Sequence, residues 1–213
     1  MLADFHMHTR ASDGRALPGD MVRAARARGL GAVAITDHNT FAGSVAAARA
    51  GVEGVIVVYG SEVRTEYGDV VVLCPSQPSG EAPRSLVDLI EFAEAESCLA
   101  FPAHPYDVRR LGIGPLVRLR YWRAVEGWNA ASDPLSNALS WLATSSGGKV
   151  VLANSDAHVP EAVGAAGNLL PDVSTRDEVL EVIRKGLTSP VPGYSISGFV
   201  RSLEWSIIRY LTR

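Results

Sequence analysis

Asp4-Phe5-His6-Met7-His8-Thr9-Arg10-Ala11-Ser12-Asp13-Gly14 is the stretch on which the fold and the chemistry turn. A short apolar run ends in two imidazoles with one residue between them. Side chains repeat on one side of a strand every second residue, so His6 and His8 project together and can reach one ion. Alone, His-x-His is a weak signal. It gains weight from Thr36-Asp37-His38, Ser61-Glu62-Val63, His104-Pro105 and Ser155-Asp156-Ala157-His158. These motifs use all five histidines of the chain. Imidazole and carboxylate together are the ligand set of zinc, manganese or iron.

The surrounding pattern alternates short β-branched runs with longer helical ones. Strands are predicted at 3–6, 32–36, 55–59, 70–74, 98–102, 124–128 and 150–153, and helices at 19–28, 41–50, 84–96, 134–145 and 175–185. Continuous apolar strands between helices predict a mostly parallel sheet covered on both faces, and the number of such units favours a barrel. Gly68-Asp69 predicts a tight turn and a local hairpin between 62–66 and 70–74. His6 and His8 end the first strand, Asp37 and His38 follow the second, and Glu62 follows the third. His104 follows the run 99–101, and Asp156 with His158 follow 150–152. In parallel α/β folds the carboxyl ends of strands meet at one face, where active sites lie. Residues spread over 150 positions are therefore expected to converge.

Composition narrows the partners. The net charge of −3 over 213 residues gives no electrostatic footprint for a stable nucleic-acid partner. No apolar run is long enough to span a bilayer, and the N-terminus lacks the basic-then-apolar pattern of a signal peptide. Cys74 and Cys98 each lie in or beside an apolar run and are expected as buried, reduced thiols, which with the missing leader predicts a cytoplasmic protein.

Taken singly, several site residues have plainer explanations: His104 as a loop histidine, Asp13 as a turn aspartate, and Asp37 as a cap for the helix at 41–50 or an acid orienting His38. Taken in order, the motifs resemble the PHP (polymerase and histidinol phosphatase) superfamily, most closely its small metal-dependent phosphoesterases. The resemblance runs from residue 4 to about residue 158. It implies a distorted (β/α)7 TIM-like barrel, a single domain over 1–195, and two or three divalent metal ions (zinc, manganese or iron). It also implies hydrolysis of a phosphoester by a hydroxide bridging those ions. By position, His6, His8, Glu62 and Asp156 would hold the first ion, Asp13, His38 and His158 the second, and Glu62 with His104 a third. Where many relatives carry a further histidine this chain reads Gly68-Asp69-Val70, which makes Asp69 the remaining candidate for the third ion. Asp156, His158, Glu62 and Arg10 are the expected catalytic residues.

The expected substrate is a small phosphorylated metabolite or nucleotide. Arginine forks suit phosphate, and Arg10, Arg64 and Arg109, the last beside Arg110, are the expected substrate contacts. Tyr106 and Trp128 are candidates for stacking on a base, with core packing as the alternative. Residues 199–213 read as an amphipathic helix; with its approach from 196 this tail is expected either packed on the barrel or at a homodimer contact. Two rivals stand beside the phosphoesterase. A metal-dependent amidohydrolase often bridges its ions with a carboxylated lysine, but the only lysines, Lys149 and Lys185, fall at a strand start and late in a helix. The other rival is a non-catalytic metal-binding module.

Overall fold

Apolar, β-branched runs become strands covered on both sides. In Gly68–Cys74 every residue is buried, as a strand inside a two-faced sheet requires. The computed structural model describes residues 1–145 and 147–212. Among them the strands are Leu2–Asp4 (β1), Leu30–Ile35 (β2), Ile56–Thr65 (β3), Gly68–Cys74 (β4), Leu99–Pro102 (β5), Ala124–Asn129 (β6), Val150–Asn154 (β7), Gly167–Leu169 (β8) and Ser189–Val191 (β9). The helices are Pro18–Ala27 (α1), Ala42–Arg49 (α2), Leu86–Ala95 (α3), Pro134–Ser145 (α4), Arg176–Arg184 (α5) and Ile196–Leu211 (α6).

The sheet curls but its main-chain ladder does not close. Seven strands run in the order β5-β4-β3-β2-β1-β8-β9, and β6 pairs with β7 separately. The expected distorted (β/α)7 barrel is borne out in part, as an α/β fold with a curled half-barrel sheet and six helices. Side-chain amides stitch the gap where a ladder is missing. Asn154 Oδ1 accepts from the Phe5 amide at 3.1 Å, and the Asn168 side chain takes both polar groups of the Ala153 backbone, at 3.0 and 2.7 Å.

The predicted hairpin is present as β3–β4, with Thr65 opposite Gly68. Gly68 takes φ +142°, and a Cβ there would sit 2.6 Å from the Leu111 carbonyl oxygen, so the turn needs glycine on two counts. The hairpin reverses β4, which is antiparallel to both β3 and β5, while β1–β2, β2–β3 and β6–β7 are parallel. β3 also extends well past its predicted end, so Glu62 lies inside the strand opposite Val71 rather than after it. The short strands β8 and β9 were absent from the sequence expectations.

Phe5, Phe101, Leu152, Leu180 and Ile183 form the core beneath α5, and α1 packs Met21, Val22 and Ala25 against β2. Cys74 and Cys98 are joined as a disulfide, with Cα atoms 4.2 Å apart across the end of the β4–β5 pairing. This corrects the reduced-thiol expectation and removes one of the two supports of a cytoplasmic assignment. No helix among the described residues is long and apolar enough to cross a membrane.

α6 begins at Ile196 with Ser195 as its N-cap, earlier than predicted, and Arg213 lies outside the described residues. It docks beside the short 3-10 helix Pro160–Ala162.

Candidate metal centre

Five imidazoles meet in one place. The His8 ring lies 4.3 Å from His158, 4.5 Å from His38 and 5.2 Å from His6, and His6 lies 5.8 Å from His104, centroid to centroid. Glu62 stands between them and divides its two oxygens. Oε1 is 2.9 Å from His104 Nε2 and 3.4 Å from His6 Nε2; Oε2 is 2.9 Å from His38 Nδ1 and 3.4 Å from His8 Nε2. Asp156 Oδ1 approaches His8 Nε2 at 3.2 Å and His6 Nε2 at 3.6 Å. Asp13 Oδ1 lies 3.2 Å from His158 Nε2.

The ligand atoms fall into overlapping groups whose members lie within 4.8 Å of one another: His6, His104 and Asp156; His6, His8 and Glu62; His8, Asp13, His38 and His158; and Glu62, Asp69 and His104. All eight residues named from the sequence as ligands are thus together. His8 also falls in the group with Asp13, His38 and His158.

The fit to metal ions rests on orphaned atoms. His6 Nε2, both ring nitrogens of His8, His104 Nδ1 and Asp156 Oδ1 are buried without a hydrogen-bond partner. A buried polar atom left unpaired costs about 1–3 kcal/mol, so several around one point mark a place for cations. The donor set, imidazole nitrogen with carboxylate oxygen, suits borderline divalent ions.

Electrostatics agree. Burial alone would raise the Glu62 pKa, but His6, His104 and His38 hold it well below the usual carboxylate range. Asp156 is likewise opposed by burial and held low by Arg110 and His6. Burial would lower His38, yet hydrogen bonds with Asp13 and Glu62 push it up to about 10. The carboxylates are ionised and ready to ligate.

A buried polar layer behind the ligands was missed in the sequence. Glu126 Oε1 accepts from His6 Nδ1 at 3.0 Å and from Asn154 Nδ2 at 2.8 Å. Its Oε2 accepts from the His104 amide at 2.7 Å and from Asn129 Nδ2 at 2.9 Å. Asn129 Nδ2 also donates to Asp156 Oδ2 at 3.1 Å. A carboxylate on the far nitrogen of a ligand imidazole fixes its tautomer and its aim. His104 and Asp156 both take positive φ, 30° and 50°, an uncommon backbone state for such residues that the network around them sustains. Asp4 accepts from the Ser155 and Gly164 amides, and its pKa is pushed up to about 6, chiefly by burial, against those hydrogen bonds. The available signal was one acid in the middle of an apolar strand, Ala124-Val125-Glu126-Gly127.

Other expectations land differently. Among the described residues no side-chain hydrogen bond joins Asp37 to His38, and α2 has no side-chain cap. Asp37 accepts from the Thr9 amide at 2.7 Å and the Thr9 and Ser12 hydroxyls at 2.6 Å each, bracing the loop that carries Asp13. Arg10 is exposed, gives its Nε to the Arg15 carbonyl and does not line the cleft. β1 ends at Asp4 and the chain turns at residues 10–13, so the every-second-residue spacing does not carry as far as Arg10.

Arg64, Asp69, Arg109 and Arg110 do line the cleft, which has a volume of about 280 Å³. Arg64 binds both oxygens of Asp69 at 2.9 Å, Arg109 pairs with Asp133, and Arg110 pairs with Asp156. Tyr106 packs against the core cluster that includes Trp122, and Trp128 lies tilted against Tyr194 with ring centroids 5.1 Å apart; neither lines the cleft.

The PHP domain family matches residues 4–110, half of the chain, and the PHP-associated family matches 134–188. The chain belongs to the PHP domain family. An uncharacterised protein of Methanocaldococcus jannaschii is 34% identical over 120 residues, covering 50% of this chain and 68% of that one. A two-domain Bacteroides vulgatus protein containing a "predicted PHP-like metal-dependent phosphoesterase" superposes with a TM-score of 0.74 at 17% identity. That match covers 91% of this chain and 65% of the Bacteroides chain, so this chain spans less than two thirds of it. An amidohydrolase from Chromobacterium violaceum, with bound sulfate and no metal, gives 0.65 at 17% identity over 88% and 97% of the two chains. At these identities the structural likenesses speak for the fold.

Proposed function

We propose that this protein is a metal-dependent phosphoesterase acting on a small phosphorylated metabolite or nucleotide. The observation that carries the reading is the set of orphaned ligand atoms on His6, His8, His104 and Asp156, converging beside Glu62 in a cleft edged by arginines. His6, His104 and Asp156 would hold one ion and Asp13, His38 and His158 another, with His8 and Glu62 between them. Such ions supply Lewis acidity and lower the pKa of water into the neutral range.

The chain's own residues do the rest. Glu62, with one oxygen toward each group, fixes the spacing of the two centres. Glu126 aims His6, and Asn129 steadies Asp156. Arg64, Arg109 and Arg110 place guanidinium groups at the cleft, where phosphoryl oxygens would lie. Asp69 is within reach of Glu62 and His104, and each of its oxygens already bonds Arg64, so a third ion there would share those oxygens with the guanidinium or displace it.

The amidohydrolase reading is weaker on one specific point. Neither lysine lines the cleft: Lys149 bonds the Leu119 and Trp122 carbonyls, and Lys185 pairs with Glu181. A carboxylated-lysine bridge has no residue to form it, and Glu62 stands in that position. Assays of p-nitrophenyl phosphate, its diester and cyclic amides, with zinc, manganese and iron supplied in turn, test the reading. Phosphoester turnover that chelator removes is expected. Amide turnover alone would overturn it, and full ion content with no turnover would favour the non-catalytic module.

A further inference from the structure

α6 is amphipathic, yet it presents its polar side inward. Phe199, Leu203, Ile207, Ile208 and Leu211 are each more than half exposed, while Ser202, Trp205, Ser206 and Arg209 line the metal cleft. Those four positions, spaced i, i+3, i+4 and i+7, form one stripe of the helix. Apart from Trp205, which packs against the core cluster that includes Ala162 and Val163, burial of apolar surface does not explain why the helix lies there. Two bonds to one residue hold its middle: Trp205 Nε1 donates to the Asp13 carbonyl at 2.8 Å, and Arg209 Nη1 to Asp13 Oδ2 at 2.7 Å. Near its start Gly198 lies against Ala162, where a Cβ would come within 2.7 Å of the Ala162 Cα. Both family matches end before α6 begins.

We infer that Arg209 is a substrate-binding residue which takes a phosphoryl oxygen of a compact phosphomonoester, and that the Ser202–Trp205–Ser206–Arg209 stripe sets the size of what enters. This rests on the phosphoesterase reading. Arg209 is one of three guanidinium groups found on candidate ligands, Arg64 on Asp69 being another. Arg110 stands on Asp156 in one group, and Arg209 on Asp13 in the other. A cation bound at Asp13 would neutralise the carboxylate that now holds Arg209 and leave the guanidinium facing the cleft. A planar fork with unspent donors beside a cation centre is suited to an anionic oxygen. A cleft of about 280 Å³ with Trp205 in its lining is of a size for a phosphate carrying a small organic group.

The test compares R209Q, R209K and W205L with the wild-type protein, each loaded with the same divalent ion and its ion content measured. Inorganic phosphate, titrated calorimetrically, is the binding probe, and p-nitrophenyl phosphate supplies KM and kcat. R209Q is expected to weaken phosphate binding and raise KM by roughly 10- to 100-fold, the loss of one charged hydrogen bond, with kcat within a few-fold and ion content unchanged. R209K should restore part of the affinity. W205L should gain turnover of the bulkier bis-p-nitrophenyl phosphate relative to the monoester.

Unchanged phosphate affinity in fully loaded R209Q overturns the assignment. So does a variant that loses ions while its loaded fraction binds phosphate normally, since Arg209 would then only anchor Asp13. Unchanged monoester-to-diester selectivity in W205L overturns the size rule. If wild-type protein hydrolyses no phosphoester, the phosphoesterase reading fails, while the phosphate titration still decides the role of Arg209.

Discussion

The inner and outer halves of the ligand cluster are built by different means. His6, His104, Asp156 and Glu62 are buried; Glu126 and Asn129 on β6 hold the first three from behind, and Asn154 on β7 braces Glu126. Asp13, His38 and His158 retain 14%, 29% and 19% side-chain exposure, and Asp13 sits on a loop braced by Asp37 and is held by α6. A strand-borne, fully bonded layer fixes ligand positions before any ion arrives, whereas a loop and a surface helix must be ordered at some cost. The inner centre should therefore bind tightly, and the outer should exchange.

Breaking both halves at once should have the largest effect. Glu62→Gln removes the carboxylate that gives one oxygen to each group, and Asp156→Ala removes an inner candidate ligand. Each should lower turnover by roughly three orders of magnitude with far-ultraviolet circular dichroism unchanged. Glu126→Gln touches no ion yet should cost about 10- to 100-fold in ion affinity or turnover. It should also lower the melting temperature, because a buried acceptor for His6 or for the His104 amide is lost. If Glu126→Gln behaves as wild type, the inner centre is not pre-organised as described.

The comparison sharpens in a chelator titration followed by mass spectrometry. One ion per chain should leave well before the other, and Asp13→Asn should abolish only the weakly held one. Simultaneous loss would contradict the asymmetry.

Acidity supplies a further test. Imidazoles ligate only when the coordinating nitrogen is unprotonated, and without ions His38 holds its proton up to about pH 10, through Asp13 and Glu62. Ion binding must then expel protons, so affinity falls as pH falls. The heat of binding should vary with the ionisation enthalpy of the buffer, and a buffer-independent heat would contradict the protonated ion-free state.

The smallest expected effect on turnover lies far from the cleft. The Cys74–Cys98 bridge closes a 24-residue separation, so replacing both with serine should cost about 2–4 kcal/mol in denaturant unfolding and leave kcat unchanged.

The candidate ligands were legible because chemistry and position coincide in them. Paired histidines and an Asp-x-His at strand ends converge whether or not the sheet closes, and His6 and His8 meet their partners although β1 ends at Asp4. The topology was less legible. A helix between two apolar runs reads as a parallel crossover, but the β3–β4 hairpin reverses β4, and the crossover through α3 then returns β5 antiparallel to it. That reversal also brings Cys74 opposite Cys98, a pairing no spacing announces. β8 and β9, Gly167–Leu169 and Ser189–Val191, are too short and too rich in Gly, Asn and Pro to stand out as strands. Glu126 escaped notice because a single acid in a strand reads as solvent-facing, whereas here it faces a buried layer.

Anomalous diffraction from crystals grown with manganese or zinc tests the central claim most directly. Peaks are expected among His6, His104 and Asp156 and among Asp13, His38 and His158, with Glu62 reaching both. Maps without a peak at either place, in crystals whose side chains stand as described, would contradict the account.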